Sequence, residues 1–243
     1  MIRFLRTVWI WTASTLLVLL WVPVLGVIWL LDQDPMRRRT ARWFRLLGQW
    51  LSKVDSWQVQ ITGLENLNRD RVYVVISNHQ SLTDIPAMCL LGMDAKWLVK
   101  SELIGMPVVG WLLRMAGDIP VERSDGRKRA KAMLDAIRCL RQNCSVICFP
   151  EGTRAEAGKV LPFNEGLFRV AIREKVAILA VAIEGSAAVL PRDSWMFGES
   201  KVIRLRILPV VETEGWTTDQ SEQLRDEVRE RIVGALSAGA NGS

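Results

Sequence analysis

His79 and Asp84, five positions apart, are the residues of this 243-residue chain best suited by type and spacing to move a proton. His79 is the only histidine. It follows Ser77-Asn78 at the end of the apolar, β-branched run 72–76, and Asp84 stands where an aspartate suits a helix start. A strand that delivers an imidazole at its carboxyl end lets a carboxylate at the next helix start hold one ring nitrogen. The other nitrogen is then left to accept a proton. A structural histidine satisfied by a helix cap would show the same spacing, so a second signal is needed. It is another strand end: the run 145–149 leads into Pro150-Glu151-Gly152-Thr153-Arg154. Arg154 offers a planar fork of donors suited to a phosphate, and Gly152 permits close backbone approach. Glu151 has the wrong sign for a phosphate ligand and is expected to orient Arg154 or another cation, or to accept from a substrate hydroxyl. Lys100 and Arg123 punctuate the apolar segment between the two sites and are candidates to reach the same anion. There is no GxSxG elbow, so Ser77 and Ser81 are read as turn or cap residues and not as nucleophiles.

Both candidate sites fall at the carboxyl ends of apolar strands, where open α/β sheets carry their ligands. The chain pattern around them is strand–helix alternation. Strands are expected at 57–62, 72–77, 95–99, 118–121, 145–149, 176–184 and 202–211. Helices are expected at 84–92, 107–116, 126–143, 163–174 and 219–237. Residues 57–243 therefore read as one α/β domain, preceded by a membrane-anchoring segment over 1–56.

Residues 7–31 carry no charged side chain, and a bilayer needs about 20 such residues in a helix. Pro23 and Gly26 interrupt the run, so a simple span and a re-entrant or shallow helical hairpin are both open. Arginines flank it, with Arg3 and Arg6 before and Arg37, Arg38, Arg39 and Arg42 after, which puts the α/β domain on the cytoplasmic side. Residues 36–54 form an amphipathic stripe with Trp43, Leu47, Trp50 and Val54 at helical spacing. Their arginines suit a membrane surface with anionic lipids; a core-facing amphipathic helix is the alternative. Seven of the eleven tryptophans lie within the first 57 residues, a headgroup-level pattern.

Charge sharpens this division. The first 58 residues hold eight Lys/Arg against three Asp/Glu, whereas the rest is nearly balanced. A nucleic-acid binder would carry its basic footprint on the folded domain, so no nucleic-acid partner is expected. The four cysteines form no CxxC pair and one histidine cannot complete a usual zinc set. They read as reduced core thiols, with no metal and no cofactor.

Together these motifs resemble a family. Asn78-His79-Gln80-Ser81-Leu82-Thr83-Asp84 matches the NHxxxxD motif of the glycerolipid acyltransferases, and Phe149–Arg154 matches their FPEGTR motif. The segment from Lys100 to Arg123 is similar to the motif between them. The resemblance covers roughly residues 36–210 and is closest to the lysophosphatidic acid acyltransferases. It implies a mixed, largely parallel α/β sheet flanked by helices. It also implies transfer of a fatty acyl group from an acyl-coenzyme A or acyl-carrier-protein donor to a lysophospholipid acceptor. On that resemblance His79, Asp84 and Asn78 serve catalysis, while Lys100, Arg123, Glu151, Gly152, Thr153 and Arg154 handle the phosphorylated acceptor. One position departs from it: the fourth motif centres on proline, and the matching stretch 178–185 has Ala180. Acceptor identity stays open on that account, with another lysolipid, or a lipid-binding homologue without turnover, as alternatives.

Overall fold

A computed structural model describes residues 1–54, 57–122, 124–199 and 202–240. Among them, seven strands form one sheet in the spatial order β1 (Gln58–Thr62), β7 (Val202–Ile207), β6 (Ile178–Glu184), β2 (Val74–Ser77), β5 (Ser145–Cys148), β3 (Ala95–Lys100), β4 (Ile119–Val121). All neighbours are parallel except β6 and β7. The sheet is thus mixed and largely parallel, as the resemblance implied. β2 and β5 are buried on both faces, which is why both read as continuous apolar runs. The expected strand over 202–211 stops at Ile207, because Pro209 has no N–H to offer the ladder. Beyond Ile207 the pairing continues through the Leu208 N–H on the Ala180 carbonyl and an isolated bridge between Ile178 and Val211.

Helices cover both faces. Val74, Ile76 and Val146 pack with α6 (Gly126–Arg141), α7 (Gly166–Glu174) and α9 (Ser221–Ala240) on one side. Val75 and Ile147 pack with α3 (Asp84–Cys89) on the other. α4 (Ser101–Ile104) and α8 (Ser186–Val189) are single turns with no periodic signal to announce them. α5 (Val109–Ala116) completes the set. Lys96, in mid-β3, is 1% exposed. Its ammonium donates to the carbonyls of Ala116 and Arg37, and burial pushes its pKa down.

α1 (Ile2–Leu31) runs unbroken through Pro23 and Gly26, so the predicted interruption does not occur. A proline in a helix loses one ladder bond. Here the residues around it, Trp21, Val22 and Leu25, are packed against Leu47 of α2 (Arg38–Lys53) and Leu112 of α5, which holds the helix together. The helix is long and apolar enough to cross a bilayer. Its amino-terminal end and its middle, however, rest on the same body. Arg3 and Arg6 donate to the carbonyls of Phe197 and Gly198 at 2.8 Å, Trp11 donates to Trp195 at 2.8 Å, and Trp21 donates to Trp43 at 3.0 Å. Elsewhere along the helix Leu16, Leu20, Val27 and Leu30 face outward.

α2 divides its apolar stripe. Leu47 and Gly48 face the protein, while Trp43 and Trp50 remain exposed. Gly48 lies so close to α3 that a Cβ there would meet the Cys89 sulfur at 2.6 Å. α3 begins with Asp84, so this approach seats the helix that supplies the carboxylate.

Candidate active site

The turn after β2 is organised by one oxygen. Asp84 Oδ2 accepts from His79 Nδ1 at 2.7 Å and from the backbone N–H of Gln80 and Ser81, each at 2.8 Å. The carboxylate is fully buried, and the imidazole is 14% exposed. With Nδ1–H donating to Asp84, the tautomer consistent with this network leaves Nε2 bare as an acceptor. The ring lies flat on Phe149, centroids 4.1 Å apart and planes 12° from parallel. Phe149 in turn packs against Trp97. The imidazole has one bond and one stacking surface, which together set its plane.

Two long-range contacts fix the backbone that carries it. The Asn78 amide donates to the Ile183 carbonyl at 2.9 Å and accepts its N–H at 2.8 Å. It thereby continues the β2–β6 ladder one step past the strand. Asn78 is fully buried and both its amide atoms are engaged, so the structure places it behind the histidine. Glu151 accepts the His79 N–H at 2.7 Å through one oxygen and the Leu161 N–H at 2.7 Å through the other. Burial pushes its pKa up, opposed by these two bonds. The sequence pointed Glu151 toward Arg154 or a substrate hydroxyl; instead, both its oxygens are taken by backbone amides. Each oxygen serves one amide, and no chain-local signal could reveal partners 72 and 10 residues away.

This gives a sharp expectation for Glu151→Gln. Glutamine has the same shape but only one acceptor, so one of the two buried amides must face an NH2 group. The loss should be about 1–3 kcal/mol of stability, read as a lower unfolding midpoint, together with a fall in turnover. A variant with unchanged midpoint and unchanged turnover would show that the two amide bonds are dispensable.

Gly152 adopts φ +77°, a conformation that favours glycine, and so turns the chain sharply after β5. Two residues beyond Thr153, the Ala155 N–H donates to the His79 carbonyl at 2.7 Å. That bond brings Arg154 beside the histidine turn. Arg154 is partly buried, and among the described residues nothing pairs with its guanidinium. Thr153 beside it is exposed. Lys100 is placed differently: 54% exposed, it pairs with Glu102 at 2.7 Å and stands on the rim of a cavity. Arg123 lies outside the described residues.

That cavity, about 460 Å³, lies beyond Phe149 at the carboxyl ends of β3, β4 and β5. Leu98, Val99, Val121, Met133 and Leu167 give it apolar walls, with Gly152 and Lys100 at its polar margin. All four cysteines are buried free thiols, and Cys148 lines this cavity. Ala180, where the resemblance leads one to look for proline, is buried in β6 and paired with Ile76. The arrangement as a whole offers a bare imidazole nitrogen, an uncommitted guanidinium and an apolar recess, all at one end of the sheet. It suits proton abstraction from a hydroxyl next to an anionic group, with a hydrocarbon chain alongside.

The acyltransferase family profile matches residues 58–184, more than half the chain, and the protein belongs to the acyltransferase family. Within it, the chain is similar to 1-acyl-sn-glycerol-3-phosphate acyltransferases. It is 33% identical over 184 residues, 75% of its length, to the chloroplastic protein LPAT1 of Arabidopsis thaliana, of which that covers 51%. It is 30% identical over 178 residues to the alpha form of Homo sapiens, covering 72% of this chain and 62% of that protein. The chain thus spans about half to two-thirds of the length of these curated relatives. The crystal structure of the 1-acyl-sn-glycerophosphate acyltransferase PlsC from Thermotoga maritima superposes with a TM-score of 0.81 at 26% identity. It covers 97% of this chain and 95% of its own.

Proposed function

We propose that the protein transfers a fatty acyl group from an acyl thioester to the free sn-2 hydroxyl of lysophosphatidic acid, giving phosphatidic acid. The observation that carries this reading is the His79–Asp84 pair, with Nε2 bare, standing beside the unpaired Arg154. Nε2 takes the hydroxyl proton as the oxygen attacks the thioester carbon. The tetrahedral intermediate then collapses, the C–S bond breaks, and the imidazolium returns its proton to the departing thiolate. Asp84 holds the ring and offsets the transient positive charge. Because a thioester is already an activated acyl donor, a positioned base worth roughly 10²–10⁴-fold is a sufficient main device.

In this reading Arg154, Thr153 and the backbone at Gly152 receive the acceptor phosphate, with Arg123 and Lys100 as further cations. Asn78 and Glu151 are positioning residues, because neither offers a free polar atom. The apolar cavity takes the donor's acyl chain. The activity in the relatives' names, acylation of 1-acyl-sn-glycerol-3-phosphate, supports the choice of acceptor. The apolar outer face of α1, together with Trp43 and Trp50 of α2, rests in the headgroup and upper acyl region of one leaflet. The arginine-rich flank suits the anionic headgroups of the cytoplasmic leaflet and so places the domain on that side. Since α1 is fastened to the folded body at points from Arg3 to Trp21, the helix lies along the membrane surface instead of crossing it.

The test is a matrix of acyl thioesters against lysolipids, using the full chain in phospholipid nanodiscs and measuring free thiol and diacyl product together. Stoichiometric thiol release with lysophosphatidic acid is expected. Thiol release without acyl product, or a preference for a lysolipid lacking the phosphomonoester, would overturn the assignment.

A further inference from the structure

α6 reaches the cavity with its first turn, where Gly126, Arg129 and Ala130 form part of the wall. Its buried residues, Ala132, Ala136, Ile137, Cys139 and Leu140, define the inner face. At 3.6 residues per turn the opposite face is a single line, Arg127, Lys131, Leu134, Arg138 and Arg141, about 21 Å long. All five are exposed, and Leu134 is 58% exposed. Arg138 pairs with Asp135 at 3.1 Å and Arg141 with Glu174 at 2.7 Å. Among the described residues, nothing pairs with Arg127 or Lys131. Lys128, beside them, comes only within 3.9 Å of Glu122.

A line of cations along a surface helix has a bland use, which is solubility. Two features exceed it. The uncommitted cations cluster at the end of the helix that enters the cavity wall. An unsupported leucine also stands at the middle of the line, where hydration would favour a polar residue. An apolar centre with a charged surround is how protein interfaces are built. A nucleotide's phosphates would use the cations but would leave the leucine and the far half of the line without a role.

We infer that the outer face of α6 docks an acidic acyl carrier protein, which presents its thioester-linked acyl chain to the cavity at the helix's amino-terminal end. Complementary charge steers the encounter and Leu134 supplies the desolvated contact. The inference rests on the acyl-thioester reading of the site and names the donor's carrier.

The experiment uses the full chain in nanodiscs and has two arms. In the first, fluorescently labelled holo acyl carrier protein is titrated and its anisotropy measured. Binding should be clear for the wild type, weaken as salt rises, and drop about tenfold or more in Arg127→Glu/Lys131→Glu and in Leu134→Ser. In the second, transfer from an acyl-carrier-protein donor is compared with transfer from a coenzyme A donor of the same chain length. The charge-reversed variant should raise KM for the carrier donor about tenfold while the coenzyme A donor stays within about twofold. A carrier protein that does not bind the wild type, or variants that affect both donors equally, would overturn the inference. Carrier binding with transfer from neither donor would instead leave the docking face standing and defeat the catalytic reading.

Discussion

Replacing His79 with alanine is expected to lower kcat by roughly 10²–10⁴-fold while leaving the protein folded. The size stems from the role: among the described residues nothing else at this end of the sheet holds a bare basic nitrogen, and a glycerol hydroxyl is a poor nucleophile until its proton has somewhere to go. The survival of the fold stems from the geometry. Asp84 Oδ2 keeps the N–H groups of Gln80 and Ser81 when the imidazole is gone, so the turn retains its organising acceptor. The lost contacts are the Nδ1–H bond to Asp84 and the stacking on Phe149, at a site that already borders a cavity. Single-turnover acyl transfer, measured beside a thermal unfolding curve, separates the two effects. Asp84→Asn should also lose orders of magnitude: the amide oxygen can keep the three N–H groups that Oδ2 accepts, but the neutral side chain no longer offsets the imidazolium charge, and its NH2 is buried where Asp84 Oδ1 has no partner. A His79→Ala protein that keeps more than about a tenth of wild-type kcat would remove the imidazole from its assigned role.

Replacing Arg154 with alanine is expected to cost roughly 2–5 kcal/mol in kcat/KM for lysophosphatidic acid, as for one partner of a desolvated charge pair. Many arginines of this fold are tied to carboxylates or carbonyls; this one has no such tie among the described residues. Its removal therefore orphans no protein group, and the loss should fall on the acceptor alone. Arg154→Lys keeps the charge and loses the two-pronged geometry, so it should lie between wild type and alanine. The deciding comparison sets lysophosphatidic acid against the same monoacylglycerol without its phosphate. Wild type should prefer the phosphorylated acceptor strongly, the alanine variant should lose most of that preference, and the donor KM should stay nearly constant. An alanine variant that loses activity on both acceptors in proportion would mean that Arg154 shapes the loop and does not read the phosphate.

The contact between His79 and Asp84 was legible because it is local. Five residues of chain suffice to bring Asp84 back to the His79 ring, so spacing and residue type carry the geometry. Strand and helix order were legible for a related reason: β2 and β5 are buried on both faces and must be apolar throughout, while α6, α7 and α9 bury one stripe each. What spacing cannot carry is who stands beside whom. The parallel crossovers place β2 between β5 and β6, and only that order lets Asn78 extend the ladder to Ile183 and lets Glu151 take the His79 N–H. Pro23 has the chemistry of a helix break, yet packing of α1 on α2 and α5 carries the helix through it. Lys96 carries a charge that residue type alone would leave in solvent. Tertiary contacts bury it, because carbonyls of Ala116 and Arg37, distant in sequence, converge on its ammonium. Contacts between neighbours in sequence are written in residue types; contacts made by closing long loops depend on the whole chain's burial, and there the tertiary structure alone decides.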